Sequence, residues 1–200
     1  MPSDRMPKKD KTELPIIPFA SQGIWENWLE QNHNNQDGIW IKFYKKGSGI
    51  ESVSYAEALD IALCYGWIDA QLKSIDELSY KQHFTPRRKR SLWSKRNVEH
   101  VARLTTEGKM KPSGIIQVEA AKSDGRWQQA YDSSMYMALP EDFVEELTKN
   151  PKAYNFYKSL NKANQYAICY RLQTAKKPET KEKRKLEILE MLKKGEKYHL

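Results

Sequence analysis

The chain has 200 residues, 39% hydrophobic and 30% charged, with a net charge of +8, a balance that fits a soluble globular protein of one domain or one domain with a smaller helical appendage. Its two cysteines, Cys64 and Cys169, exclude a disulfide framework and a C-x-x-C metal or redox motif. No apolar stretch is long enough to span a membrane.

Taken in order, MPSDRMPKKDKTEL (residues 1–14) is charged, with nothing apolar behind it. It reads as a disordered tail, neither signal peptide nor anchor, so the chain is expected in the cytoplasm. Leu14 to Phe19 is a short strand or extended lead-in. Ser21 caps a helix with Ile24, Trp25, Trp28 and Leu29 at helical spacing. Gly38 to Lys45 alternates, with Ile39, Ile41 and Phe43 on one face and Trp40, Lys42 and Tyr44 on the other, and is a strand. Ser54 and Glu57 form an S-x-x-E capping box for the next helix, which Gly66 ends; Leu59, Ala62 and Leu63 are its buried stripe.

Trp67 to Ala70 and Ser79 to Thr85 are expected strands around a turn near Lys73 to Glu77, with Ile68 in the core and Pro86 as the stop. The rest reads as helix. Ser94 caps Lys95 to Glu107, with Val98, Val101, Ala102 and Thr105 inward. A helix follows from Ser113 or Gly114 to Ser123, then Pro140 to Lys149, Pro151 to Tyr157, Asn161 to Ala175 and Pro178 to Lys194. Proline at the first helical position recurs in Pro140 and Pro151, and Leu186, Ile188, Leu189 and Leu192 are the inward residues of the last helix. The expected class is α+β: a small antiparallel sheet with helices over residues 15–130, and a helical C-terminal module over 139–197 packed on it. Six tryptophans and eleven tyrosines are many for this length, so some are core.

The charge is not spread evenly. Lys81 to Lys111 holds ten Lys or Arg residues against Glu99 and Glu107, which accounts for the whole net charge of +8. Such a patch attracts phosphate or carboxylate; the plainer reading is a solvated, solubilising face. Within it, FTPRRKRSLWS sets arginines among aromatics and hydroxyls, a composition suited to an anion or a stacked base. If Ser94 opens a helix, the first-turn N–H groups add to that site. Trp67 and Asp69, two apart on a strand, share a face that presents an indole beside a carboxylate. His33, His83, His100 and His199 are dispersed, and no nucleotide loop or metal signature occurs.

The run ALCYGWIDA (Ala62–Ala70), then FTPR (Phe84–Arg87) and S-x-W-S-x-x-N (Ser91–Asn97), resembles the YdeI/OmpD-associated family, also labelled bacteriocin-protection proteins. So do GKMKPSG (Gly108–Gly114) and AKSDGRW (Ala121–Trp127). Leu139-Pro140, Ala175-Lys176 and Glu179-Thr180-x-x-x-Arg184 are similar to the family's C-terminal helical module, with Lys181 where its pattern tends to have arginine. The resemblance implies a link to bacteriocin or envelope-stress resistance and to an outer-membrane porin, and it places Trp67, Asp69, Arg87, Trp93, Ser94 and Asn97 in the family pattern. It supplies no catalytic residues.

The leading expectation is a cytoplasmic, cofactor-free binding protein with an aromatic-lined basic cleft for an anionic ligand. Arg87 and Arg88 would hold the anion, Trp93 or Trp67 would stack, Ser94 and Asn97 would hydrogen-bond, and Asp69 would orient an arginine or accept from the ligand. One alternative is nucleic-acid binding through residues 81–111, with Lys89 and Arg90, helped by Lys176, Lys183 and Arg184. The other is an enzyme with Asp69, or Asp76 further along, as general base.

Overall fold

The computed structural model describes residues 13–132 and 137–199, so residues 1–12 of the expected tail lie outside the described residues. The chain divides into two compact units, one made of Met1–Ser91 with Glu99–Gly125, the other of Leu92–Val98 with Arg126–Leu200. Among the described residues no helix is long and apolar enough to cross a membrane.

The first unit is built on a four-stranded sheet in the order β1-β2-β4-β3. β1 (Ile16–Pro18) leads into α1 (Gln22–Asn32), whose Ser21 cap accepts from the Ile24 N–H as expected. The helical crossover returns the chain so that β2 (Ile39–Tyr44) runs parallel to β1. The sheet is thus mixed at one edge, with a single strand–helix–strand unit that the sequence pattern did not reveal. α2 (Tyr55–Cys64) opens on the complete Ser54–Glu57 capping box, and Gly66 past its end has a φ of 77°, the left-handed value that favours glycine. β3 (Trp67–Ser74) and β4 (Ser79–Pro86) form an antiparallel hairpin, and β4 also pairs antiparallel with β2. β3 extends four residues beyond Ala70, which moves the turn to residues 75–78.

Helices cover one sheet face. Ile39, Ile41 and Phe43 are fully buried there, as their alternation requires, together with Phe84 and Trp67. Trp25 and Trp28 of α1 stack at 5.4 Å and meet Trp67 edge-on. Full burial of an Ile or Phe side chain such as Ile39, Ile41 or Phe43 stabilises by about 1.5–3 kcal/mol. Trp67 is the inward residue and Ile68 is half-exposed, the reverse of the expected placement of Ile68. Cross-strand partners share a face, and Trp67 lies on the Phe84 side that the helices cover, with Ile68 opposite Thr85. A bulge between Asp69 and Leu72 interrupts β3, and the buried Gln82 amide donates to the Ala70 carbonyl there (2.8 Å). α3 (Lys95–Thr106) buries Val101 and Leu104, whereas Ala102 and Thr105 are exposed. α4 (Pro112–Ser123) completes this unit.

The second unit holds α5 (Glu141–Thr148), α6 (Pro151–Ser159), α7 (Lys162–Gln173) and α8 (Pro178–Lys193), around a core that includes Phe143, Leu147, Ile168, Leu172, Ile188 and Leu192. Pro151 sits at the start of its helix, but Pro140 is the N-cap of α5 rather than its first helical residue. In α8 Leu186 is exposed and Lys185 is buried, because the Lys185 ammonium bonds Asp142 and Glu182, both at 2.8 Å. Trp93 packs on Trp127 with ring centroids 4.9 Å apart.

Candidate functional site

Alternation along β2 sends Trp40, Lys42 and Tyr44 to the sheet face opposite the helices. The β4 residues that join them are set by register: Trp40 stands opposite His83 and Lys42 opposite Lys81. On β3 the bulge restores Lys73 to this face, opposite Lys81. Lys42, Lys81 and Lys73 therefore form a row across three neighbouring strands, about 4.8 Å from one strand to the next.

Trp40 lies at the centre of this surface. The Lys81 and Lys73 ammonium groups lie 4.9 and 5.2 Å from its ring centroid, and the His83 ring centroid is 5.2 Å away at an interplanar angle of 31°. The Lys42 ammonium lies 4.8 Å from the Tyr44 ring. Burial, and the positive charge of Arg88 beside it, hold the His83 imidazole below its ordinary pKa, so it is neutral near pH 7. Its Nε2 faces Gly38, where an added Cβ would stand 2.6 Å away.

None of the three row lysines forms an ion pair with a carboxylate among the described residues. Elsewhere pairing is common: Lys109 with Glu107, Lys111 with Glu26, Lys122 with Glu119, Lys193 with Glu190. Like charges placed directly across a ladder are unfavourable, so this face stores a positive field.

The basic run continues from the end of this sheet. Arg87 is buried and donates its backbone N–H to the Gly66 carbonyl (3.0 Å). Arg88, Lys89 and Arg90 are exposed on a turn closed by Ser91, whose N–H donates to the Arg88 carbonyl (2.8 Å) while its Oγ accepts from the Arg88 N–H (3.1 Å).

The other expected site residues are distributed as follows. Trp67 is 1% exposed and its indole N–H donates to the His33 carbonyl, so its faces are covered by protein rather than offered for stacking. Asp69 accepts from the Tyr55 hydroxyl at 2.9 Å, at the rim of the helix-covered face. Asp76 lies in the hairpin turn, most of β3 away from Asp69, on the order of 15 Å at the usual strand rise. In the second unit, Trp93 is 2% exposed, Ser94 caps α3 by accepting from the Asn97 N–H (3.1 Å), and Tyr131 donates its N–H to the Trp93 carbonyl (3.0 Å).

Lys176 lines a cavity of about 360 Å³ with Leu92, Tyr131 and Gln173, and Arg184 donates to the Arg171 carbonyl at 2.6 Å. Lys183 is exposed, 3.9 Å from Glu187. Trp40, Lys42, Lys73 and His83 were missed as site residues; the aromatic–lysine alternation on the outward side of β2 was the available signal.

The first unit also has a cavity of about 330 Å³, lined by Glu26, Asp60, Cys64 and Lys111 among others. Its charges are satisfied from within the protein: Asp60 meets His100 at 2.6 Å and Arg103 at 2.5 Å. Among the described residues no cluster of His, Cys, Asp and Glu could hold a metal ion.

A helix-backed sheet with one open, basic, aromatic face, joined in sequence to a four-helix unit, defines an α+β two-unit protein. Residues 17–117 match the family model described as a domain of unknown function, DUF8412, which is half of the chain, so the protein belongs to that family. Residues 137–195 match the model described as bacteriocin-protection, YdeI or OmpD-associated, and the second unit carries a domain of that kind. The motifs from Ala62 to Asn97 fall within the first match. No curated protein and no solved structure matches the chain.

Proposed function

We propose that this is a cofactor-free binding protein for an anionic ligand, and that the ligand seats on the open sheet face of the first unit. The observation that carries this is the row Lys42–Lys81–Lys73: three lysines in register across adjacent strands, none in an ion pair with a carboxylate among the described residues, their ammonium groups resting over the Tyr44 and Trp40 rings. Repulsion within the row is relieved when an anion binds, so the interaction gains most where the free protein is least comfortable. Arg88, Lys89 and Arg90, on the turn after β4, extend the same field and form the part of the expected site that belongs to this surface. The bacteriocin-protection label of the C-terminal domain adds a physiological setting, which sensitivity of a deletion strain to bacteriocins would test.

Retention on a heparin column, read as the salt needed for elution, tests the proposal. The triple variant Lys42→Gln/Lys73→Gln/Lys81→Gln is expected to elute at clearly lower salt than wild type. A charge-matched control, Lys109→Gln/Lys122→Gln/Lys193→Gln, removes three paired lysines and is expected to shift elution far less. Equal shifts in the two would mean that net charge alone governs retention, and the reading would fall.

A further inference from the structure

We infer that the anion is single-stranded nucleic acid, with Trp40 as the platform on which a base stacks. This rests on the anion-binding reading above and adds the chemistry of the ligand. A surface meant only for phosphate or carboxylate has no use for aromatic rings between its cations. Here the rings are built in: Trp40 and Tyr44 alternate with Lys42 on one strand, and His83 stands opposite Trp40 on the next. A neutral His83 lets a base approach without adding a fixed charge beneath it.

Next to Trp40 on β1, Ile16 is its register partner and is 48% exposed, which continues the apolar patch to the edge of the sheet. Single strands are bound in this manner elsewhere by physics rather than by sequence: an aromatic ring takes the base, and flanking cations track the backbone. Duplexes keep their base faces covered by stacking, so a flat platform selects the unpaired strand.

The lysines over the Trp40 ring fit the same purpose. Lys73 and Lys81 are long, flexible side chains resting near an indole whose face they partly cover. A base that stacks on Trp40 displaces the ammonium groups by a few ångströms, into the position where the adjoining phosphates lie. The cation–π contact given up is weak at a wet surface, and the phosphate contact that replaces it is between full charges. The free protein thus keeps its platform covered and its cations close at hand.

The test is fluorescence anisotropy of the full chain with labelled dT12, a 12-mer duplex, and an abasic 12-mer with the same backbone and no bases. The expected result is dT12 binding at low salt, at least about tenfold tighter than the abasic strand, with Trp40→Leu reducing dT12 to the abasic level. Three neutralised phosphates give a log–log salt slope of about −2, and Lys73→Gln is expected to make it shallower by about 0.7. Because Trp40→Leu touches a half-buried ring, its fold is checked by circular dichroism; the exposed Lys73→Gln supplies the second, fold-neutral readout. Equal affinity for dT12 and the abasic strand would overturn the stacking inference while heparin retention still upheld anion binding. Preference for the duplex would overturn it too, and loss of both oligonucleotide binding and heparin retention would remove both readings.

Discussion

Lys73 and Lys81 are register partners across β3 and β4, and both ammonium groups lie within about 5 Å of the Trp40 ring centroid, at 5.2 and 4.9 Å. Two like charges side by side on a strand pair carry a repulsive cost, which the contact of each ammonium with the indole offsets in part. Natural proteins accept such costs where a site needs them.

The balance is measurable. Lys81→Gln removes the repulsion with its register partners and also the Lys81 contact on the Trp40 ring, two effects of similar size and opposite sign, so the fold is expected to stay within about 0.5 kcal/mol of wild type. The same change is expected to weaken heparin retention. Urea unfolding midpoints and elution salt, measured together, check this; a variant that loses both stability and retention would show that Lys81 chiefly supports packing.

Much of the fold was legible in the sequence because local rules decided it. Ser54 and Glu57 gave the start of α2, and Ile39, Ile41 and Phe43 gave the buried face of β2. The errors arose where a local pattern was compatible with two tertiary answers. Alternation showed that Trp67 and Ile68 point opposite ways, but which of them goes inward depends on the side that α1 and α2 cover. Similarly, the burial of Lys185 in place of Leu186 depends on Asp142, more than forty positions away in the chain. The row of lysines was the least legible of all. Lys42, Lys73 and Lys81 become neighbours only through strand order and a bulge, neither of which leaves a local signature.

The Asp142 cluster of the second unit gives a pH dependence. Hydrogen bonds from Lys181 and Lys185, each 2.8 Å, lower the Asp142 carboxyl from 3.8 to about 2. A carboxyl with a depressed folded pKa binds its proton more readily in the unfolded chain, so its stabilisation is present above about pH 4 and lost as pH falls toward 2. Asp142→Asn is expected to flatten that part of the acid-unfolding profile followed by circular dichroism. A wild-type-like acid slope in the variant would assign the loss to other carboxylates.

Lys185 itself separates charge from shape. Its side chain is 8% exposed, between two carboxylates that are 45% and 64% exposed. Lys185→Met keeps the aliphatic volume and removes the need to desolvate an ammonium, and is expected to stay within about 1 kcal/mol of wild type. Asp142→Ala, which leaves the buried ammonium with Glu182 alone, is expected to cost about 1–2 kcal/mol. Chemical denaturation of both variants checks the order, and a larger loss in Lys185→Met would mean that the ion pairs stabilise the fold beyond their desolvation cost.

The two buried thiols are expected to be slow to react. Burial, reinforced by the negative charges of Asp60 and Glu26, raises the Cys64 thiol to about 11, and burial likewise raises Cys169. At pH 8 a thiol of that pKa is about one part in a thousand thiolate, and the thiolate is the nucleophile. Cys64 also sits where α4 crosses the end of α2: an added Cβ on Gly114 would stand 2.1 Å from the Cys64 carbonyl oxygen. Ellman's reagent is therefore expected to label neither cysteine promptly in the native protein, and both at once in guanidinium. Gly114→Ala, which forces the two helices apart, is expected to cost about 3 kcal/mol and to make Cys64 react before Cys169. By contrast Gly23→Ala, with nothing within 4 Å of the new methyl, is expected to gain about 0.5 kcal/mol and leave both thiols silent. Equal labelling of Cys64 in the two glycine variants would show that the α2–α4 crossing does not control access to it.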